Sequence, residues 1–530
     1  MSSAHRDPFA REALPPVDRQ PELRFDLPAL RYPQRLNAAD VLLDRHVRDG
    51  RRDRRCILAP GGTAWSYADL LDRANRIANV LVDDLGVVPG NRVLLRAPNT
   101  PMLAACWFAV VKAGAIAVTT MPLYRAGELR HMIDRAQVRH ALCDARIADE
   151  LANATEGADV RTVLFGSEDA ELEGRMAGAS PVFENVETAA EDVALIGFTS
   201  GTTGSAKATM HYHRDLLAIC DTYAARVLKA HPDDLFTGSP PLGFTFGLGG
   251  ELIFPLHIGA ATLLLEKAPP AELLRAIGEY GVNVVFTAPI AYRAMTAMLA
   301  DADVSSLRLC VSAGETLPAP VWQAWHEATG LKILDGIGST EMLHIFVGSG
   351  VDDARPGATG KVVPGYVAEI HDDDGRPLPL GAIGRLAVKG PTGCRYLADD
   401  RQDTYVRDGW NYPGDAYSLD ADGYFHYIAR TDDMIVSAGY NISGPEVEQA
   451  LLAHAGVKEC AVVAKADPAH DTNIVKAFVV RDDHADVDAE ALVAFCKERI
   501  APYKAPREVE FVEALPRTET GKVQRYKLRA

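Results

Sequence analysis

Short apolar runs alternate with helix-length segments along most of the chain. The run at 93–96 follows the turn Pro89-Gly90-Asn91, and compact runs recur at 193–198, 261–265, 282–286 and 307–312. Their length and their flanking turn residues read as strands. Between them lie helical patterns at 270–279 and 318–329, the second stopped by Gly330. The longest apolar stretch, 102–118, is interrupted by Lys112 and Gly114. It predicts a helix ending near Lys112 and a short strand at 115–119, not a membrane span, which needs about 20 apolar residues. Strand–helix–strand alternation at this spacing predicts an α/β body with largely parallel, buried sheets.

Beyond about residue 365 the texture changes. Runs at 368–371, 385–389 and 424–428 are separated by Asp-Asp-Asp-Gly, Pro-Leu-Gly and Asp-Ala-Asp-Gly turns, which predicts a β-meander or small barrel. The polar stretch Ala429-Arg430-Thr431-Asp432-Asp433 then reads as a hinge. After it come a helix at 445–453, strands at 460–464 and 475–480, a helix at 488–499 and a strand at 508–512. This is one α+β unit of about 100 residues, an ordinary domain size. The chain is thus expected to divide into an N-terminal body, 1–430, of parallel βα sheets plus a β-barrel-like subdomain, and a small α+β C-terminal domain, 431–530.

Composition narrows the function classes. Of 530 residues, 48% are hydrophobic and 24% charged, which is globular usage. The balance of 55 basic against 72 acidic residues gives 55 − 72 = −17. That argues against a nucleic-acid or anionic-membrane footprint, but not against a small anion held by a local cluster of donors. Eight cysteines lie scattered without close pairs, as in reduced intracellular thiols. The first 33 residues have no apolar core of a signal peptide, and Leu528-Arg529-Ala530 is no peroxisomal address. The expected location is the cytoplasm.

The most specific chemistry lies in Phe198-Thr199-Ser200-Gly201-Thr202-Thr203-Gly204-Ser205-Ala206-Lys207. Two glycines let the backbone aim N–H groups at one point, four hydroxyls add donors, and Lys207 supplies a positive charge. It is not the common nucleotide P-loop, because no Gly-Lys-Ser/Thr is present here. Four more motifs follow in order: Gly336-Ile337-Gly338-Ser339-Thr340-Glu341, Tyr412-Pro413-Gly414-Asp415, the hinge stretch from Ala429 to Asp433, and Pro516-Arg517-Thr518-Glu519-Thr520-Gly521-Lys522. Together they resemble the adenylate-forming superfamily of acyl- and aryl-CoA ligases, carrier-protein adenylating domains and luciferases, over nearly the whole chain. Ala429 stands where that family usually has Gly.

The resemblance implies a reaction and a set of roles. ATP, Mg²⁺ and CoA are the expected cofactor and co-substrates. Thr199, Ser200, Gly201, Thr202, Thr203, Gly204 and Lys207 would wrap the β- and γ-phosphates. Glu341 would ligate Mg²⁺, and the Thr340 hydroxyl would contact the α-phosphate. Asp415 and Arg430 would reach the ribose and Gly314, Glu315 and Thr316 the adenine face, with Asp335 in the same nucleotide set. Lys522 would cross from a mobile small domain to bridge carboxylate and α-phosphate. That domain would then turn about Asp432 and bring Ser437, Ala438, Gly439 and Tyr440 to line the CoA tunnel.

For the acid, Phe244 and Phe246 flank Thr245 amid small residues, a setting suited to stacking on a flat ring. Ala313 and Gly338 would leave room for a planar substrate. Residues 339–346 resemble the corresponding segment of benzoate-type CoA ligases, which implies that His344 lies near the ring. Phe244-Thr245-Phe246 and the lead-in Gly238-Ser239-Pro240-Pro241-Leu242 resemble the 2-aminobenzoate branch. Salicylate and plain benzoate stay open as substrates, as does an enzyme that loads an aryl group onto a carrier protein in trans. A non-catalytic nucleotide-binding scaffold is the rival from another class. His211 and His213 have the look of a metal pair, but His213 resembles the family's ordinary helix histidine, so zinc is not expected. A homodimer is compatible with this class.

Overall fold

The computed structural model describes residues 3–167, 170–199, 206–437, 440–467, 472–482, 487–500, 502–517 and 523–529. The described residues of Met1–Ser200, Ala206–Ala368 and Val388–Asn411 pack as one unit, and those of Glu369–Ala387 and Tyr412–Ala530 as another.

Two sheets build the first unit. One runs in the order Arg161–Phe165, His140–Asp144, Arg92–Arg96, Ile116–Thr120, Val193–Phe198, Ala208–Tyr212. All neighbours are parallel except the last pair. Parallel neighbours need a crossover of a dozen or more residues, so the short connection 199–207 permits only an antiparallel return. The other sheet runs Lys361–Val362, Ile345–Gly348, Ile333–Gly338, Leu309–Ser312, Val284–Thr287, Leu235–Gly238, Ala261–Leu263, Arg55–Ala59, Thr63–Ser66. Its strands from Ile333–Gly338 to Arg55–Ala59 are parallel, and both edges are antiparallel. The α/β alternation is as expected, with mixed sheets because hairpins close the edges.

The long apolar stretch folds as helix Pro101–Lys112 followed by strand Ile116–Thr120. Thr100 accepts from the Leu103 N–H at 3.2 Å, and Pro101 fits the first helical position. Lys112 is buried with it and pairs with Asp44 at 2.5 Å, which is how a lysine can end a buried helix. Among the described residues no helix is long and apolar enough to cross a membrane. The helical patterns appear as Pro270–Tyr280 and Ala319–Thr329, and Gly330 ends the second at φ +75°. All eight cysteines are buried, and none joins another in a disulfide.

In the second unit a meander pairs Ile383, Gly384 and Arg385 with Ser418, Tyr417 and Ala416, and Asp415–Leu419 with Phe425–Arg430. A hairpin of Ile435–Ser437 and Tyr440–Ile442 follows. Its strands are too short to stand out as an apolar run. Helix Gly444–Leu452, the antiparallel pair Val457–Asp467 and Thr472–Arg481, helix Ala489–Lys497 and strand Glu508–Phe511 complete the unit. Val447, Leu451, Val462, Val475, Leu492 and Cys496 share its core.

Candidate active site

Strand Val193–Phe198 is buried along its length and delivers the chain to the 199–207 loop. The loop is closed at its base, where the Thr199 N–H donates to the Lys207 carbonyl at 2.9 Å and the Lys207 N–H to Thr199 Oγ1 at 3.4 Å. Ser200, Gly201, Thr202, Thr203 and Gly204 lie outside the described residues. Lys207 Nζ donates to the Tyr396 hydroxyl at 3.3 Å and sits 5.1 Å over that ring.

Thr340 and Glu341 occupy the turn after strand Ile333–Gly338. Ser339 Oγ holds the turn, accepting from the Met342 N–H at 3.1 Å and bonding the Tyr405 hydroxyl at 2.9 Å. Glu341 is buried, and its Oε1 accepts from Tyr396 at 2.6 Å. The Thr340 carbonyl is 2.8 Å from His211 Nε2. Burial lowers the His211 pKa to about 4, so the ring is neutral and its N–H donates. Gly197 lets the turn approach the strand, since a Cβ there would lie 2.9 Å from Thr340 Cγ2. The structure therefore brings Thr199, Lys207, Thr340 and Glu341 onto one frame.

His344 is 2% exposed within a cage of rings. Its centroid is 4.5 Å from Phe254, 5.6 Å from Tyr223, 5.7 Å from Phe246 and 6.3 Å from Phe286. Gly249 makes room for it, because a Cβ there would meet the imidazole. Burial lowers the His344 pKa to about 3, the Phe246 carbonyl opposing. Neither ring nitrogen closes a hydrogen bond. Phe244 leaves this group and packs edge-on against Tyr124 at 6.4 Å, so the two phenylalanines that look paired in the sequence serve different neighbours. Thr245 stays close to Gly197, and Ala313 is buried just past strand Leu309–Ser312.

Asp335 is buried with Oδ1 unpartnered, and desolvation pushes its carboxyl well above the usual range. Gly314 takes the positive φ of +91° that the turn into Glu315 and Thr316 requires. Gly338 backs onto the His344 carbonyl. In the second unit, Arg430 Nη1 donates to both Asp415 oxygens at 3.1 Å, across the register that pairs the two residues. Asp432 lies in the turn Thr431–Asp433, and Ser437 faces Tyr440 across the hairpin. Ala438, Gly439 and Lys522 lie outside the described residues.

A profile of the AMP-binding enzyme family matches residues 43–396, and one of the AMP-binding enzyme C-terminal domain matches residues 446–522. The chain belongs to the AMP-binding enzyme family. It is an adenylate-forming, AMP-forming acid ligase. Benzoate–CoA ligase of Thauera aromatica is 34% identical over 517 residues, covering 95% of this chain and 97% of that one. The structure of the anthranilate CoA ligase AuaEII in complex with anthranoyl-AMP matches at 33% identity and a TM-score of 0.89, over 95% of this chain and 98% of that one. A benzoate CoA ligase from Burkholderia xenovorans LB400 matches at 31% identity and a TM-score of 0.85, over 93% of this chain and 100% of that one.

Several residues around these candidate positions carry no local signal in the sequence. Tyr396 reaches Lys207 across 189 positions and Glu341 across 55. Phe254, Phe286 and Tyr223 lie in runs that read simply as core. His211 and His213 do not converge: His213 Nδ1 accepts from the Ala38 N–H at 3.1 Å, while His211 serves Thr340. Glu251 is fully buried near Asn99 Nδ2 at 3.4 Å, and desolvation raises its carboxyl pKa strongly.

Proposed function

We propose that this enzyme is an ATP-dependent aryl-CoA ligase. It joins a benzoate-type acid to AMP with release of pyrophosphate, then transfers the aryl group to CoA with release of AMP. The observation that carries this reading is one continuous segment. Its Thr340-Glu341 turn lies in the frame that holds Lys207, and four residues after Thr340 His344 enters an aromatic cage. Acid activation and aryl recognition thus share a support.

The chemistry sets two anions against each other, because a carboxylate must attack the α-phosphorus of ATP. Charge neutralisation and in-line placement are the protein's tasks. In this reading the 199–207 loop and Lys207 hold the terminal phosphates and Thr340 touches the α-phosphate. Asp415 and Arg430 bind the ribose, and Lys522 bridges the reacting groups. Glu341 fits a Mg²⁺ ion, since its Oε2 has no hydrogen-bond partner among the described residues. The described residues hold no group of three His, Cys, Asp or Glu able to bind a metal alone, so nucleotide oxygens would complete the shell, as they usually do for Mg²⁺. The ion's chemistry there would be neutralisation of phosphate charge. In the second half-reaction the 431–530 domain turns about Asp432 and presents the hairpin of Ser437 and Tyr440 to the thiol.

We assign 2-aminobenzoate as the preferred acid. Two features support it: the similarity to an anthranilate CoA ligase, and the neutral His344, held among aromatic rings in the segment that resembles benzoate-type ligases. Plain benzoate is the second reading, favoured by the Thauera aromatica relative. Buried cysteines without a disulfide suit a reducing compartment such as the cytoplasm. Enzyme, Mg-ATP and acid are incubated with CoA or with an acyl-carrier protein, and the products are weighed. Aryl-CoA supports the reading; product on the carrier alone overturns it.

A further inference from the structure

Tyr396 stands between the two charged side chains of the site. A phenol has one proton to give and lone pairs to accept, and this one uses both. It donates to Glu341 Oε1 at 2.6 Å and accepts from Lys207 Nζ at 3.3 Å. We propose that Tyr396 is a positioning residue: it fixes one oxygen of Glu341 so that the other faces a nucleotide-bound divalent cation, and it keeps Lys207 available for phosphate. The proposal rests on the reading of Glu341 as the cation ligand.

The tyrosine is over-determined by its surroundings. Its backbone N–H donates to Gln402 Oε1 at 2.9 Å. It bridges Thr209, while Met210 N–H to Arg395 O and Leu397 N–H to Ala208 O, both at 2.8 Å, stitch the segment to the strand after the phosphate loop. Arg395 beside it is anchored in a buried ion pair with Asp215 at 2.8 Å. The ring meets Tyr405 edge-on at 5.9 Å, and Tyr405 in turn holds Ser339. Tyr396 is fully buried, so phenylalanine would fill the same volume without joining the charges. Lys207 and Glu341 form no direct ion pair among the described residues; the phenol stands between them. Without it, the flexible ammonium and the carboxylate are free to pair with each other. That pairing would occupy both the cation ligand and the phosphate-binding charge.

The test uses the full-length enzyme with a non-hydrolysable ATP analogue. Mn²⁺ affinity is read by electron paramagnetic resonance, and the Mg²⁺ dependence of adenylation by steady-state kinetics. Tyr396→Phe should weaken Mn²⁺ binding and raise the half-saturating Mg²⁺ about tenfold, leaving KM for the aryl acid unchanged. Tyr396→His, which keeps a ring and a donor, should recover part of that loss. Tyr366→Phe removes another buried tyrosine hydroxyl in the same unit, one bonded to Thr392, and should move neither value. If Tyr396→Phe binds Mn²⁺ within twofold of wild type while Glu341→Gln does not, the positioning role is wrong and the reading of Glu341 stands. If Glu341→Gln also binds normally, both fall. An equal shift from Tyr366→Phe would reduce the effect to general packing and overturn the proposal.

Discussion

His211→Ala probes how the Thr340 turn is held. His211 is fully buried on strand Ala208–Tyr212, with Nε2 2.8 Å from the Thr340 carbonyl. Alanine removes the donor and leaves a part-buried carbonyl oxygen without one, a loss of about 1–3 kcal/mol. Thr340 is the residue proposed to touch the α-phosphate, so this loss should appear in the adenylation barrier. A change of that size lowers kcat/KM by about 5- to 150-fold. His211→Asn, shorter but still an N–H donor, should recover part of the rate. With a pKa of about 4, the ring stays neutral across neutral pH, so the variant should lower the pH–rate profile without moving its inflections. Acid-dependent pyrophosphate exchange measures adenylation alone, and melting is followed in parallel. If His211→Ala melts lower yet keeps kcat/KM within twofold of wild type, the bond serves stability and the reasoning is refuted.

Three further outcomes are expected. His211 has a folded pKa of about 4, and His213 and His344 of about 3, below the ordinary 6.5. The unfolded chain therefore binds more protons, and the stability present above pH 6.5 is lost as pH falls toward those values. By pH 5 each ring costs about 2 kcal/mol, so urea midpoints should drop steeply between pH 7 and 5; equal midpoints would contradict the neutral assignment. Gly249→Ala places a methyl against His344 and should raise KM for the aryl acid at least tenfold with KM for ATP little changed; a parallel rise in both would detach His344 from the acid pocket. Lys522→Ala should lower adenylation by orders of magnitude while sparing thiolysis of a supplied aryl-adenylate, and equal loss of both half-reactions would count against its bridging role.

The parts legible in the sequence are those where chemistry restricts residue type over a short span. The 199–207 loop needs glycines, hydroxyls and a lysine in close order, and the segment Gly336–Glu341 sets glycines, hydroxyls and a carboxylate within six residues. Contacts between distant segments leave no such trace. Tyr396 sits among ordinary loop residues, and only folding sets it between Lys207 and Glu341. Phe244 and Phe246 look equivalent until the helical turn Thr245–Gly247 sends one to Tyr124 and the other to His344. The mixed sheets follow the same logic. Helical crossovers predict parallel neighbours, whereas the antiparallel edges depend on connection length, which apolar patterning does not report.

The most direct measurement is ATP- and CoA-dependent AMP release over a panel of acids: benzoate, its 2-amino and 2-hydroxy forms, longer aryl acids and medium-chain fatty acids. Benzoate-type acids should release AMP in equal amount to the aryl-CoA formed, with 2-aminobenzoate giving the highest kcat/KM. No AMP with any aryl acid, or a fatty acid preferred over all of them, would contradict an aryl-CoA ligase.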